Sequence, residues 1–291
     1  MFKKALKIFG VVVAVLVVVA AAFYAKAYYA TQARMQKVYS VTPQPLEIKA
    51  DSAQLADGAR LTKAKGCQDC HGSDLGGKIF IENSPLGFIV ASNLTKGRGG
   101  LPTDHNTSDW VLALKHGIRR DGKPLLIMPS HEYTLLTEQD MASIVAYAQS
   151  VPAVDRELAP HELKPLSYIL TELGKLPLIP SEQIDHSRPL VKELQAEVSV
   201  EYGKYLSSAC IGCHRADMKG GDPIAPGFPP VANISSSGNP GKWTEEQFMT
   251  TLRTGKTPEG KELNPAEMPW KMTQAYTDIE LKALYQYLHS L

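Results

Sequence analysis

The hydrophobic pattern begins with one long block. Ile8 to Ala25 (IFGVVVAVLVVVAAAFYA) is an 18-residue run without a charge, bracketed by Lys7 and Lys26. As a helix it spans roughly 27 Å, close to the hydrocarbon thickness of a bilayer. Lys3, Lys4 and Lys7 place the N-terminus on the cytoplasmic side, and Phe23, Tyr24, Tyr28 and Tyr29 sit at the outer interface as an aromatic anchor. A cleaved signal peptide is the other reading, since Ala25-Lys26-Ala27 has the form of a small-residue cleavage site. Signal peptides have shorter apolar regions, about 7–15 residues. Length and aromatics favour an uncleaved, single-pass anchor over residues 1–30. On either reading the bulk of the chain is exported, which in a bacterium places it on the periplasmic side of the inner membrane.

Beyond the anchor the pattern turns polar. Thr31 to Ala50, with Pro43 and Pro45, reads as a stalk. From about Asp51 short amphipathic segments appear, and they appear twice. Asp57-Gly58-Ala59-Arg60-Leu61 opens a helix that has its counterpart in Glu201-Tyr202-Gly203-Lys204-Tyr205-Leu206. Trp110 to Gly117 pairs with Phe248 to Gly255, each glycine standing where a helix stops. Thr137-Glu138-Gln139-Asp140 and Thr277-Asp278-Ile279-Glu280 are helix starts of capping-box type. They lead into Met141–Ser150 and Leu281–Leu291, with Ile144, Val145 and Ala148 matching Leu284, Tyr285 and Leu288 on the inward faces. The pattern predicts an all-α protein made of one duplicated helical domain, at 51–154 and 196–291. Residues 155–195, rich in proline and containing a short apolar helix candidate at Leu166–Leu176, form a linker. So long a linker is expected to drape over one or both domains rather than hang as loose coil.

Composition changes this picture little. The 291 residues are 44% hydrophobic and 21% charged, ordinary for a folded chain. A net charge of +1 lacks the basic footprint of nucleic-acid binders.

The chemistry sits in the duplicated positions. The four cysteines fall in two C-x-x-C-H motifs, Cys67-Gln68-Asp69-Cys70-His71 and Cys210-Ile211-Gly212-Cys213-His214. This spacing reads as c-type haem attachment: two thioethers to one porphyrin, with the adjacent histidine as proximal iron ligand. A redox dithiol or half of a zinc site are the competing readings of a bare C-x-x-C. The histidine after each pair, the absence of other cysteines and the repetition downstream weigh against them. Two haems would add four propionates and make the holoprotein acidic, suiting a partner with local positive charge.

The sixth iron ligand decides the class of function. A His-only haem is open to small ligands, whereas His with Met is closed and suits electron transfer. Met128, Met141, His116 and His131 are the candidates in the first half. Met141 aligns with Leu281, His116 with Thr254 and His131 with Lys271, so none repeats. Met128-Pro129 repeats as Met268-Pro269, each methionine 35 positions beyond Asn93 or Asn233. Met128 and Met268 are therefore the candidate axial ligands, and Met218, Met249 and Met272 are read as core filling. Asn93 and Asn233 have two open roles, a haem-side hydrogen bond or simple turn formation. Trp110, Trp243 and Trp270 wall the haem edge or fill the core. The Arg119-Arg120 and Lys123 run reads as a solvated turn, with a propionate contact or a docking patch as the sharper option.

In these motifs the chain resembles membrane-anchored bacterial dihaem c-type cytochromes with tandem class I-like domains. The resemblance covers essentially everything after the anchor. It includes Asn93-Leu94-Thr95 and Asn233-Ile234-Ser235, Trp243 to Gly255, Met268-Pro269-Trp270 and the terminal helices. It implies a helical domain wrapped round each of two covalent haem c groups, with axial pairs His71–Met128 and His214–Met268. Irons closed by His and Met are expected in a carrier of single electrons, not an enzyme, between a membrane dehydrogenase or quinol-oxidising complex and an oxidase or another cytochrome. The rival reading is a dihaem enzyme such as a peroxidase or thiosulfate-oxidising protein, which would need one open iron. A third is a dedicated cytochrome subunit of one respiratory complex.

Overall fold

The computed structural model describes residues 2–224 and 228–291, with Asn83 described by its backbone alone. It opens with helix α1 (Phe2–Met35), which continues ten residues past the apolar run. Nothing in Lys26–Met35 breaks a helix, and Ala, Gln, Arg and Met there all favour one. The chain then runs extended along the first repeat. Tyr39 N–H donates to the Gly122 carbonyl at 2.9 Å, and Leu46 and Ile48 pack on the first core. The stretch expected as a stalk is thus partly helix and partly a strap held against the protein.

The first repeat contains α2 (Ser52–Ala64), α3 (Cys67–His71), strands β1 (Lys78–Ser84) and β2 (Gly87–Ala91), α4 (Thr107–His116), α5 (Ser130–Tyr133) and α6 (Glu138–Ser150). Helix α2 starts at Ser52, well before Asp57, because the Asp51 side chain accepts from Gln54 N–H and caps it there. The connecting segment carries β3 (Glu162–Leu163) and α7 (Pro165–Glu172). The second repeat contains α8 (Val200–Leu206), α9 (Ile211–His214), α10 (Glu245–Thr254), a 3₁₀ turn at Trp270–Ala275, and α11 (Asp278–His289).

Each repeat is organised by its first helix crossing its last at a glycine. A Cβ on Gly58 would lie 2.0 Å from the Ser143 carbonyl oxygen on α6, and one on Gly203 would lie 2.0 Å from that of Ala283 on α11. Only glycine permits this approach. Around the crossings, Leu61, Val111, Met141, Ile144 and Val145 form one core, and Leu206, Phe248, Leu281, Leu284 and Leu288 the other. Both middle helices stop at a left-handed glycine, Gly117 at φ 64° and Gly255 at φ 72°.

The small sheet is an addition to the all-helical expectation. β1 and β2 pair antiparallel with irregular register, and β3 adds to β2 through Gly87↔Leu163 and Phe88↔Glu162. Ile79, Ile81, Phe88 and Val90 lie in these strands, joined by a short turn at Pro85-Leu86. The isolated hairpin is marginal by itself, and the third strand comes from the distant linker.

The linker binds chiefly to the first repeat and to α1. Ile127 N–H donates to the Leu178 carbonyl at 2.9 Å, Lys115 Nζ reaches the Arg188 carbonyl, and His116 meets His186 with Nδ1 atoms 3.1 Å apart. Leu178, Ile179 and Leu190 are buried.

Where the repeats meet, equivalent positions exchange contacts. Arg60 of α2 donates to both carboxylate oxygens of Glu280 on α11, at 3.0 and 2.8 Å. Its counterpart Tyr205 of α8 donates to Asp140 on α6, the counterpart of Glu280, at 2.5 Å. The repeats therefore face each other with approximate twofold symmetry.

Candidate functional site

Each C-x-x-C-H motif begins just after the first helix of its repeat. In both, the histidine is fixed through one ring nitrogen. His71 Nδ1 donates to the Ser92 carbonyl at 2.7 Å, and His214 Nδ1 to the Ala232 carbonyl at 2.8 Å. Carbonyl oxygens only accept, so the proton sits on Nδ1 and leaves the Nε2 lone pair for a metal. This is the orientation an iron ligand requires. A backbone brace repeats as well: Gly77 N–H donates to the His71 carbonyl and Gly220 N–H to that of His214. Burial holds both imidazoles below their ordinary pKa and so neutral, as ligation requires.

The cysteines do not suit the competing readings. No disulfide joins any of the four. Burial, with Cys70 adding to it, pushes the Cys67 thiol up to about 12; burial pushes Cys210 likewise to about 12. A redox dithiol needs the opposite shift. Among the described residues no group of three or more His, Cys, Asp or Glu side chains is placed to hold a metal ion, so a zinc site lacks its remaining ligands. Paired thiols beside an oriented histidine fit covalent haem.

The two methionine loops have matching backbones. Pro129 adopts φ −76°, ψ 50° and Pro269 φ −76°, ψ 54°. Met128 packs on the first core and Met268 on the second, where Cys210 lies in the same cluster. Met128 follows Ile127, a β-branched residue at φ 65°, held there by the linker carbonyl of Leu178. Of the other methionines, Met141, Met218 and Met249 belong to the cores as expected, whereas Met272 is half-buried outside them. Met141 and its counterpart Leu281 are fully buried, as are Met218 and Leu75, which share a positive φ (57° and 54°). His116 is bound to His186 rather than pointing to a motif.

For the asparagines the structure shows the turn role. Asn93 Oδ1 accepts from Thr95 N–H and hydroxyl at 2.9 and 2.8 Å, and Asn233 Oδ1 does the same for Ser235. Trp110 is buried in the first core, while Trp243 and Trp270 donate to Glu259 and to the Leu263 carbonyl. Arg120 pairs with Asp104 and Lys123 with Gln36, as a paired surface turn.

Sequence reasoning missed how the motifs face each other. Tyr133 is buried against Cys67, its hydroxyl donating to the Lys65 carbonyl. The adjacent Glu132 reaches across to the other motif, where a Cβ on Gly212 would lie 2.6 Å from its Oε1. On the opposite side Met272, the counterpart of Glu132, approaches Gly66. Lys65 stands between, its Nζ buried 5.0 Å from the Tyr205 ring centroid. Burial raises the Glu132 carboxyl to about 7, with Lys65 opposing. The signal available beforehand was Arg60 and Tyr205 sharing one repeat position, but nothing in the sequence said the positions would meet.

Comparison with known proteins supports the repeat. The cytochrome c family model matches residues 55–152 and 200–291. The fructose dehydrogenase cytochrome subunit of Gluconobacter japonicus is 26% identical over 269 residues, covering 85% of this chain and 54% of that protein. The cytochrome c subunit of a quinone alcohol dehydrogenase from Gluconobacter oxydans (strain 621H) is 25% identical over 268 residues, covering 83% and 55%. The gluconate 2-dehydrogenase cytochrome c subunit of Pantoea cypripedii is 34% identical over 104 residues, 34% of this chain and 23% of that one. The chain spans about half the length of the two Gluconobacter relatives.

Proposed function

The chain belongs to the cytochrome c family, and from that premise we propose that it is a dihaem electron carrier fixed to the bacterial inner membrane. The duplicated arrangement carries the reading: the same oriented histidine, the same thiol pair and the same methionine loop in each half. We assign Cys67 and Cys70 to thioether attachment of one haem c, whose iron His71 and Met128 would hold. Cys210 and Cys213 attach the second, with His214 and Met268. When bound, each haem supplies an iron that gains and loses one electron.

The protein's own contributions are positional. The Ser92 and Ala232 carbonyls hold the imidazoles by Nδ1, so little rearranges as charge changes. The thioethers of Met128 and Met268 would hold the irons together with the histidines and favour the reduced state. The division into haem domains at 51–154 and 196–291 belongs to the same proposal, and the interface between them holds both motifs in one body. We place α1 across the membrane with the haem domains on the periplasmic side. The donor is then a membrane dehydrogenase or quinol-oxidising complex, as the names of the relatives suggest, and the acceptor an oxidase or another cytochrome. With a methionine loop in both halves, no observation favours the open iron of a dihaem enzyme.

Carbon monoxide titration of the reduced holoprotein tests this. The wild type should bind none, while Met128→Ala and Met268→Ala should each bind one equivalent and lower one of the two reduction potentials. Stoichiometric binding by the wild type would sink the carrier assignment.

A further inference from the structure

Helix α7 meets α1 just outside the apolar run, and the register of that contact is informative. The Tyr168 ring packs on that of Tyr28 with centroids 4.9 Å apart, and its hydroxyl accepts from Gln32 Nε2 at 3.2 Å. One turn later Glu172 pairs with Lys26 at 3.0 Å. The two helices are therefore antiparallel, and the C-terminus of α7 points back toward Ala25, the end of the apolar run. Ala27 and Thr31 of α1 are fully buried in this contact region, so the anchor is docked on the protein rather than swinging free.

The polarity of α7 is inverted relative to a helix facing water. It buries Ser167, Tyr168 and Thr171, and the Ser167 hydroxyl donates to the Leu86 carbonyl. Ile169 and Leu170 are only half-buried, and Leu173, which ends the helix, is 54% exposed. Gly174 turns the chain at φ 67° with open space where a Cβ would stand, and Lys175 is exposed beside it. An exposed leucine and an exposed ammonium at the level where the span ends match the headgroup layer of a phospholipid bilayer: apolar contact for the leucine, lipid phosphate for the lysine.

We infer that the tip of α7, Leu173-Gly174-Lys175, is a second membrane contact that sits in the lipid interface beside α1 and fixes the tilt of the first haem domain. The inference rests on the reading of α1 as a membrane span. Two attachments at one end leave the protein little rotational freedom, whereas a single helix on a loose stalk would let the haem faces wander.

Nitroxide accessibility in vesicles provides the test. In the holoprotein the four natural cysteines are consumed by haem attachment, so an introduced cysteine takes the only label. Full-length Leu173→Cys, Val15→Cys and Lys261→Cys, each checked for an unchanged haem spectrum, are reconstituted in phosphatidylethanolamine–phosphatidylglycerol vesicles. Collision with oxygen, which concentrates in lipid, is compared with collision with a water-soluble nickel chelate. Val15 should read as hydrocarbon, Lys261 as water, and Leu173 should shift well away from the Lys261 value toward that of Val15. A water-like Leu173 with a hydrocarbon-like Val15 overturns the second contact alone. A water-like Val15 overturns the anchor with it. A Leu173 that is water-like in pure lipid yet shielded from both probes in native membranes would assign the tip to a membrane protein and overturn the lipid contact.

Discussion

Glu132 shows what a single side chain does at the junction of the two motifs. Its folded carboxyl is raised to about 7 by burial, against an ordinary value near 4.5. Lys65 and His131, whose Nε2 lies 3.9 Å from Oε1, face it, and Lys65 pulls the other way. A raised carboxyl binds more protons folded than unfolded between those values. Its contribution is therefore fully present below about pH 4.5 and is lost as pH rises through about 7. Glu132→Gln should flatten the stability profile between pH 5 and 7.5. At pH 8 it should gain on the order of 1 kcal/mol in denaturant unfolding of the holoprotein, because no carboxylate then has to be charged in a buried place. An unchanged slope would show the group to be solvated.

Among the elements, the helix crossings carry the fold of each repeat. Gly58 and Gly203 have no space for a methyl group, because the opposing atom is a backbone carbonyl that cannot move without its helix. Gly58→Ala and Gly203→Ala should each cost about 2 kcal/mol or more, despite the better helix propensity of alanine. Thermal unfolding followed by haem absorbance would show it, and neutral or stabilising substitutions would contradict the crossing. The helices themselves were legible beforehand: Thr137 and Thr277 are the N-caps observed, and Gly117 and Gly255 are the stops. At Asp140 the expected reciprocal box is incomplete. Thr277 and Glu280 cap each other, whereas the Asp140 carboxylate accepts from Tyr205 across the interface. The three-stranded sheet was not legible, since two of its strands are short and irregular and the third arrives from more than seventy residues away. Nor was the clasp of His116 on His186, which joins a helix end to a linker without any periodic signal.

For the whole molecule, the interface decides whether the halves act as one body. Glu280 is 4% exposed, and its carboxylate serves both Arg60 and the N-terminus of α11. Removing the guanidinium leaves a buried carboxylate with half its partners. Arg60→Met should cost about 2 kcal/mol, less than a fully buried pair because Arg60 is partly exposed. It should also separate the unfolding of the two repeats, read as two calorimetric transitions against a single one expected of the wild type. A single unshifted transition would mean that the repeats are coupled elsewhere.

The sequence by itself determined what depends on spacing along the chain: the apolar span, the duplication, the C-x-x-C-H motifs and the repeated Met-Pro loops. Such features are local, and the repeat gave the motifs and the loops an internal copy to check against. The tertiary structure alone decided what depends on two distant surfaces meeting. It set the Nδ1 bonds that free Nε2 in His71 and His214. It brought Arg60 to Glu280 and Tyr205 to Asp140, and docked α7 on the anchor. Those contacts join residues far apart along the chain, and no periodicity in a sequence encodes which distant faces will pack.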